Sequence, residues 1–264
     1  MKRRKLASMV FVAAAMLAWA ASAGAVDGTI EINQAKVLAG SGYPYKITSS
    51  GSYRLTGNLT VPASTNGIDV NVPNVTIDLN GFSIIGSGGS TVIEGGINAA
   101  AISGVTVENG TVTGFNNGGV FVGPSGLVRN VHADANALGI NGGNNTVIEG
   151  CTANSSTEGL GIGCAAGCVI SGNTANGNPG GGIQAGNGSV ISGNTAFHNT
   201  FTGTYGILCT GSGCLITGNT AFNNNIGISA IDATTGYGGN VLDQTNNVGI
   251  GTSLGHNLCS GVVC

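Results

Sequence analysis

The sequence predicts an all-β protein, a single-stranded right-handed parallel β-helix (a solenoid) of about nine rungs. Three observations carry that prediction. The heptapeptide VISGNTA occurs at residues 169–175 and again at 190–196, 21 residues on. Val, Ile and Leu recur in short runs, each cut off by Gly or Asn. Such runs are too short for helices, and the turns break every one. A unit of this size cannot bury its apolar side alone, whereas successive turns of one coil share an interior. Right-handed winding is favoured because left-handed coils usually show a hexapeptide period, which is missing here.

The elements follow in chain order. Residues 1–25 pair a basic start (Lys2 to Lys5) with an apolar run and two A-x-A sites, Ala21-Ser22-Ala23 and Ala23-Gly24-Ala25. This is the pattern of a secretory signal peptide. Residues 26–264 are then expected to form the β-helix domain of an exported protein: secreted, periplasmic or held at the cell surface. No later run is apolar and long enough to span a bilayer.

After the signal, four basic residues (Lys36, Lys46, Arg54, Arg129) face eleven Asp and Glu. Nucleic acid and anionic membranes need a basic footprint and are excluded as partners. Uronate polysaccharides become harder substrates for the same reason.

An apolar-x-Gly-Asn unit serves as a ruler: LTGN ends at Asn58, VISGN at Asn173 and Asn194, and LITGN at Asn219. The residue after the apolar position forms a column: Thr56, Asp78, Glu108, Arg129, Glu149, Ser171, Ser192, Thr217 and Asp243. The long step from Asp78 to Glu108 requires a loop insertion within SIIGSGGSTVIEGGINAAAI. Rungs about 4.8 Å apart place identical side chains on one another. A repeated Asn can therefore bond its amide to the Asn above and below. A second polar column is expected at Asn136, Ser156, Asn178, Asn199 and Asn224.

The cysteines follow the repeat. Aligning IGCAAGCVISGN with IQAGNGSVISGN replaces Cys164 by Ala185 and Cys168 by Ser189 together; both return as Cys209 and Cys214. Residues that come and go as a pair suggest bridges within one turn, 164–168 and 209–214. Bridges between those units would have to span two rungs, beyond the reach of a disulfide. Cys259 and Cys264 repeat the spacing. Cys151 is left over in the Asn column, where a buried free thiol filling a ladder gap is the preferred reading. No His stands at ligand spacing to these cysteines, so no metal site is expected. No cofactor is called for, with calcium left open.

GNTAxxN-x-GI repeats resemble the right-handed parallel β-helix repeat of the pectin-lyase-like superfamily. The N-terminal block GSYRLTGNLTVP…NVTIDLNGFSIIG, GVTVENGTVTGF, and the tail GGNVL…GHNLCSGVVC resemble secreted bacterial β-helix proteins of unassigned role. The resemblance spans about residues 30 to 264. It implies the fold but no single activity, because the superfamily holds lyases, hydrolases, epimerases, adhesins and phage tailspikes. The Asp-Asp pair and Gly-His-Gly of its polygalacturonase-like members are missing, and so is the Asp-Pro-His-Asp run of its epimerase-like members. Arg129 is the only mid-coil base for a lyase-like reaction.

Three constellations could carry chemistry. Glu108 and Glu149 flank Arg129, one rung to each side. At two rungs they approach the carboxylate spacing of inverting hydrolysis, roughly 6.5–9.5 Å. A charge ladder on a solvated face is the plainer reading and is preferred. His132 and Asp134 are two apart and share a strand face, as a general base and its partner would. Phe197 and Phe222 fall in one column and could form a stacking platform for a sugar ring.

The sequence thus favours a non-catalytic extracellular or cell-surface protein contacting polysaccharide or glycan. The alternative is a polysaccharide lyase or glycoside hydrolase using the charged residues. End-to-end self-association is a third expectation, since exposed strand edges invite pairing.

Overall fold

The computed structural model describes residues 28–89, 94–243 and 251–263; the expected signal peptide lies outside them. Two sheets, one of 20 strands and one of nine, wind around a single core. One turn shows how. Val147–Glu149 and Thr152–Asn154 form two sides, joined by a corner at Gly150 and Cys151, and Ile162–Cys164 forms the third. The next turn repeats this with Val169–Ser171, Thr174–Asn176 and Ile183–Ala185, each parallel to its predecessor.

Alternation along each short strand decides what is inside. Ile77, Val107, Val128, Ile148, Ile170, Ile191 and Ile216 stack in register and are fully buried. Ile97, Val120, Ile140, Ile162, Ile183, Ile207 and Ile228 line the third side. Ala153, Ala175, Ala196 and Ala221 form the second. β-branched side chains suit such stacked, pleated surfaces.

The corners hold the predicted ladders. Asn173 donates its Nδ2 to Asn194 Oδ1, Asn194 to Asn219, Asn219 to Asn240 and Asn240 to Asn257, at 3.0–3.1 Å. The Gly before each of the first three, Gly172, Gly193 and Gly218, has φ 64°, which lets the chain turn the corner. The second ladder runs Asn178 to Asn199 to Asn224. It needs glycine on the facing strand: a Cβ at Gly161 or Gly206 would lie 2.5 Å from the amide nitrogen of Asn178 or Asn224.

Two of the three expected bridges lie within the described residues. Cys164–Cys168 and Cys209–Cys214 are disulfides within single turns. Ala185 pairs in register between Cys164 and Cys209, two rungs apart as aligned. Cys259 is disulfide-bonded, and its expected partner Cys264 lies outside the described residues. Cys151 is free and buried.

The structure corrects the ends of the charged column. Arg54, not Thr56, pairs with Asp78, and Glu31 pairs with Arg54. At the other end Thr217 meets Gly238, while Asp243 follows a middle-side strand, Val241–Leu242. At the N-terminal turn the Gly-Asn pair follows Arg54 two residues late, and at the C-terminal turn the regular unit is Gly238-Gly239-Asn240 rather than the run that ends in Asp243, so the ruler misplaces both columns. The strand Ile30–Ile32 carries no ruler unit at all, and brings the coil to about ten turns.

At each end the middle side of the coil is closed. After Ile30–Ile32 a helix, Gln34–Ala39, stands in place of a strand and buries Val37 in the core. Gln34 bonds both the N–H and the C=O of Thr60 on the edge strand Leu59–Thr60. At the far end Val262–Val263 folds back antiparallel on Leu258–Cys259. Covered and reversed edges resist further pairing.

Candidate functional site

The charged side chains line up on the outer side of the first strand: Glu31, Arg54, Asp78, Glu108, Arg129 and Glu149 on successive rungs. Arg54 Nε lies 3.3 Å from Asp78, and Arg129 holds Glu108 at 2.6 Å. These are contacts between opposite charges on neighbouring rungs, the arrangement of a solvated ladder. Glu149 occupies the next rung beside Arg129. Beyond it the column turns neutral, through Ser171, Ser192 and Thr217.

The His132–Asp134 pair does not form. His132 Nδ1 lies 2.8 Å from Thr152 Oγ1, one rung away, and Asp134 Oδ1 accepts the N–H of Asn154. Residues two apart on a strand are separated by roughly 6.6 Å of rise, whereas rungs lie about 4.8 Å apart. Each side chain therefore meets the rung beside it rather than its own strand-mate. His132 does occupy the expected threonine column, between Thr111 and Thr152.

The aromatic pair does form. Phe197 and Phe222 pair in register, with ring centroids 6.1 Å apart and planes 9° from parallel. They are 39% and 48% exposed, on the outer side of the middle strand. Asn176 precedes them in the column. The His198 ring lies 5.9 Å from Phe197 and its Nδ1 is 2.7 Å from Asn223 Nδ2. The sequence alone offers His198 no evident partner. An apolar ridge thus stands on the coil with amides and an imidazole along its border.

Burial pushes the Cys151 thiol up to about 11, which leaves it protonated and inert at neutral pH. Its backbone N–H donates to Asn173 Oδ1, so it stands at the head of the first Asn ladder. Among the described residues no group of three or more His, Cys, Asp or Glu is placed to hold a metal ion. No described helix is long and apolar enough to cross a membrane.

Sequence reasoning missed a cleft on the outer side of the nine-stranded sheet, lined by Asn66, Asn98, Asn117 and Phe121 among others. It also missed Glu94, a fully buried carboxylate beside it. Glu94 accepts from the N–H groups of Ser64 and Thr65 and from the Ser87 hydroxyl.

A parallel coil with stacked polar corners, a charged ladder and an aromatic ridge defines a β-solenoid repeat protein. Residues 119–259 match the family described as right handed beta helix region, and the chain belongs to that family. Among solved structures, the chain is similar to the Dettilon tailspike protein (gp208), with a TM-score of 0.56 and 19% identity. That likeness covers 81% of this chain and 52% of the tailspike chain, so this chain spans about half the length of that protein. At this identity the likeness concerns the fold. No curated protein matches the sequence.

Proposed function

We propose that this is an exported, non-catalytic β-helix protein that holds neutral polysaccharide against its outer face. The single observation that carries the reading is the Phe197–Phe222 ridge. Two nearly parallel rings stand exposed on neighbouring rungs, beside the Asn176, His198 and Asn223 side chains. Sugars present apolar C–H faces and hydroxyl rims, and such a ridge meets both, through ring contact and amide hydrogen bonds. The acidic excess supports a neutral rather than a uronate polymer. The sequence of residues 1–25 supports export.

Affinity gel electrophoresis through a panel of neutral polysaccharides tests the binding. Retardation in at least one polymer is expected, and should be lost in Phe197→Ala/Phe222→Ala. Equal retardation of that variant would refute the ridge. Reducing-end and unsaturated-product assays on the same panel test the non-catalytic part. Turnover that disappears in Glu149→Gln or His132→Ala would overturn it.

A further inference from the structure

The cleft on the nine-stranded sheet is a second, separate feature of the coil. Its volume is about 270 Å³, and it is lined by Asn66, Gly95, Asn98, Ala100, Asn117 and Phe121. The column along its floor runs Lys46, Asp69, Asn98, Phe121 and Asn141 on consecutive rungs. No lining side chain is charged.

Its walls are fixed by hydrogen bonds that leave other groups free. Asn66 is committed: its Nδ2 donates to Asp69 at 2.8 Å, and its Oδ1 accepts the Gly95 N–H at 2.7 Å. Glu94 ties the turn at Ser64 and Thr65 from behind. Its own N–H donates to Asn116 Oδ1, and its C=O accepts the Asn117 N–H, which fixes that corner. The Asn98 and Asn117 side-chain amides, by contrast, have no hydrogen-bond partner among the described residues.

The Phe121 ring packs on glycine. It lies against Gly118, where a Cβ would come within 2.5 Å of two ring carbons, and 3.7 Å from where a Gly95 Cβ would stand. Glycine at 118 is what lets the ring lie across its own strand. The result is one preset aromatic surface with two unpaired amides beside it.

We propose that this cleft is a binding site for one uncharged pyranose unit. Each free amide offers donors and an acceptor, which match a pair of neighbouring sugar hydroxyls, each itself donor and acceptor. The apolar face of the ring sits against Phe121. The volume is near the lower end of ligand pockets, roughly 300 Å³, and suits a single sugar rather than a chain in depth. A carboxylate or phosphate finds no cation on the lining. Preset groups lower the ordering cost of binding. The inference deepens the polysaccharide reading, on which it rests, by placing a sugar site away from the phenylalanine ridge.

The test is NMR titration of the full chain with methyl α-glucopyranoside, methyl α-mannopyranoside, methyl β-galactopyranoside and N-acetylglucosamine, with adenosine as a control. The side-chain amide signals of Asn98 and Asn117 are assigned by their loss in the single alanine variants. At least one sugar should shift both signals at millimolar concentration. Affinity should fall about tenfold or more in Asn98→Ala/Asn117→Ala and in Phe121→Leu. The Asn98 and Asn117 shifts, read at the cleft itself, should persist in Phe197→Ala/Phe222→Ala even where that variant loses polymer retardation. No shift with any sugar, or a shift with adenosine alone, overturns the proposal. A sugar response lost only in the Phe197/Phe222 variant overturns it while upholding the ridge. A cleft response without polymer retardation upholds the cleft and refutes the ridge.

Discussion

Replacing Asn194 by Ala tests whether the Asn ladder holds the coil together. Asn194 sits mid-ladder and is 1% exposed. Its Oδ1 accepts the backbone N–H of Asn173 at 2.9 Å and the Asn173 Nδ2 at 3.0 Å. Its Nδ2 donates to the Ile170 carbonyl at 2.9 Å and to Asn219 Oδ1 at 3.0 Å. Two of those partners keep a second bond, since Asn173 Nδ2 also reaches Ile148 O and Asn219 Oδ1 also accepts the Asn194 N–H. The Asn173 N–H loses its side-chain acceptor, a buried donor left unmet at about 1–3 kcal/mol. With the weakened Ile170 contact and the vacated volume, the expected loss is about 2–4 kcal/mol. Asn194→Asp should cost more, because a carboxylate would face the Ile170 carbonyl and Asn219 Oδ1. Asn257 ends the ladder: its truncation leaves the Asn240 N–H unmet in the same way, but its own Nδ2 has no partner among the described residues. Asn257→Ala should therefore cost less than Asn194→Ala by the two bonds that Asn194 Nδ2 donates. Urea unfolding followed by circular dichroism measures global stability, and hydrogen exchange at the Asn173 amide reads the local loss. Equal costs at 194 and 257, or unchanged exchange at Asn173, would refute the ladder argument.

Other outcomes follow from the same geometry. Cys151→Asn should stabilise the fold by about 1 kcal/mol, since the new amide can reach Val128 O and Asn173 Oδ1 as the other ladder members do; a lower urea midpoint would count against it. The unfolded thiol ionises near 9.0 and the folded one near 11, so between those values the unfolded chain has already shed a proton the folded chain keeps. Stability should therefore fall as pH rises from about 9 to 11, by about 2–3 kcal/mol from this group, and a Cys151→Ser variant should lack that portion. Burial also raises Tyr43, Tyr45 and Tyr53, so a residual alkaline loss should persist in the variant. Cys164→Ser/Cys168→Ser should cost about 2 kcal/mol, the entropy of so short a loop, without altering the β-rich dichroism.

The interior was legible because the repeat is strict where the coil is regular. From Val147 to Phe222 the columns largely keep one residue type, so alignment alone found the ladders, the in-turn disulfides and the Phe197–Phe222 pair. The ends were not legible for two reasons: after Arg54 the Gly-Asn pair stands two residues beyond its usual place, and the last Gly-Asn corner, Gly239-Asn240, follows a glycine, Gly238, where the other turns carry a side chain. The His132–Asp134 pair failed because contact along a strand was weighed and contact between rungs was not. The cleft was invisible for a different reason. Asn66, Asn98, Asn117 and Phe121 come from three successive turns, and each alone looks like repeat filler. The insertion between Ser83–Ile85 and Gly95–Ala99 also shifts the spacing where the cleft is built.

The backbone hydrogen bonds of the coil run both ways along its axis: Gly172 N–H points to the following turn and Thr174 N–H to the preceding one. The Asn-to-Asn bonds do not. From Asn173 to Asn257, and again from Asn178 to Asn224, each is donated toward the C-terminal end, while the other N–H of the donating amide returns to a carbonyl of the preceding turn. Bonds chained in this way polarise one another in a low-dielectric interior. Each row therefore reads in one direction that the sheets lack, with every accepting Oδ1 turned to the rung before it.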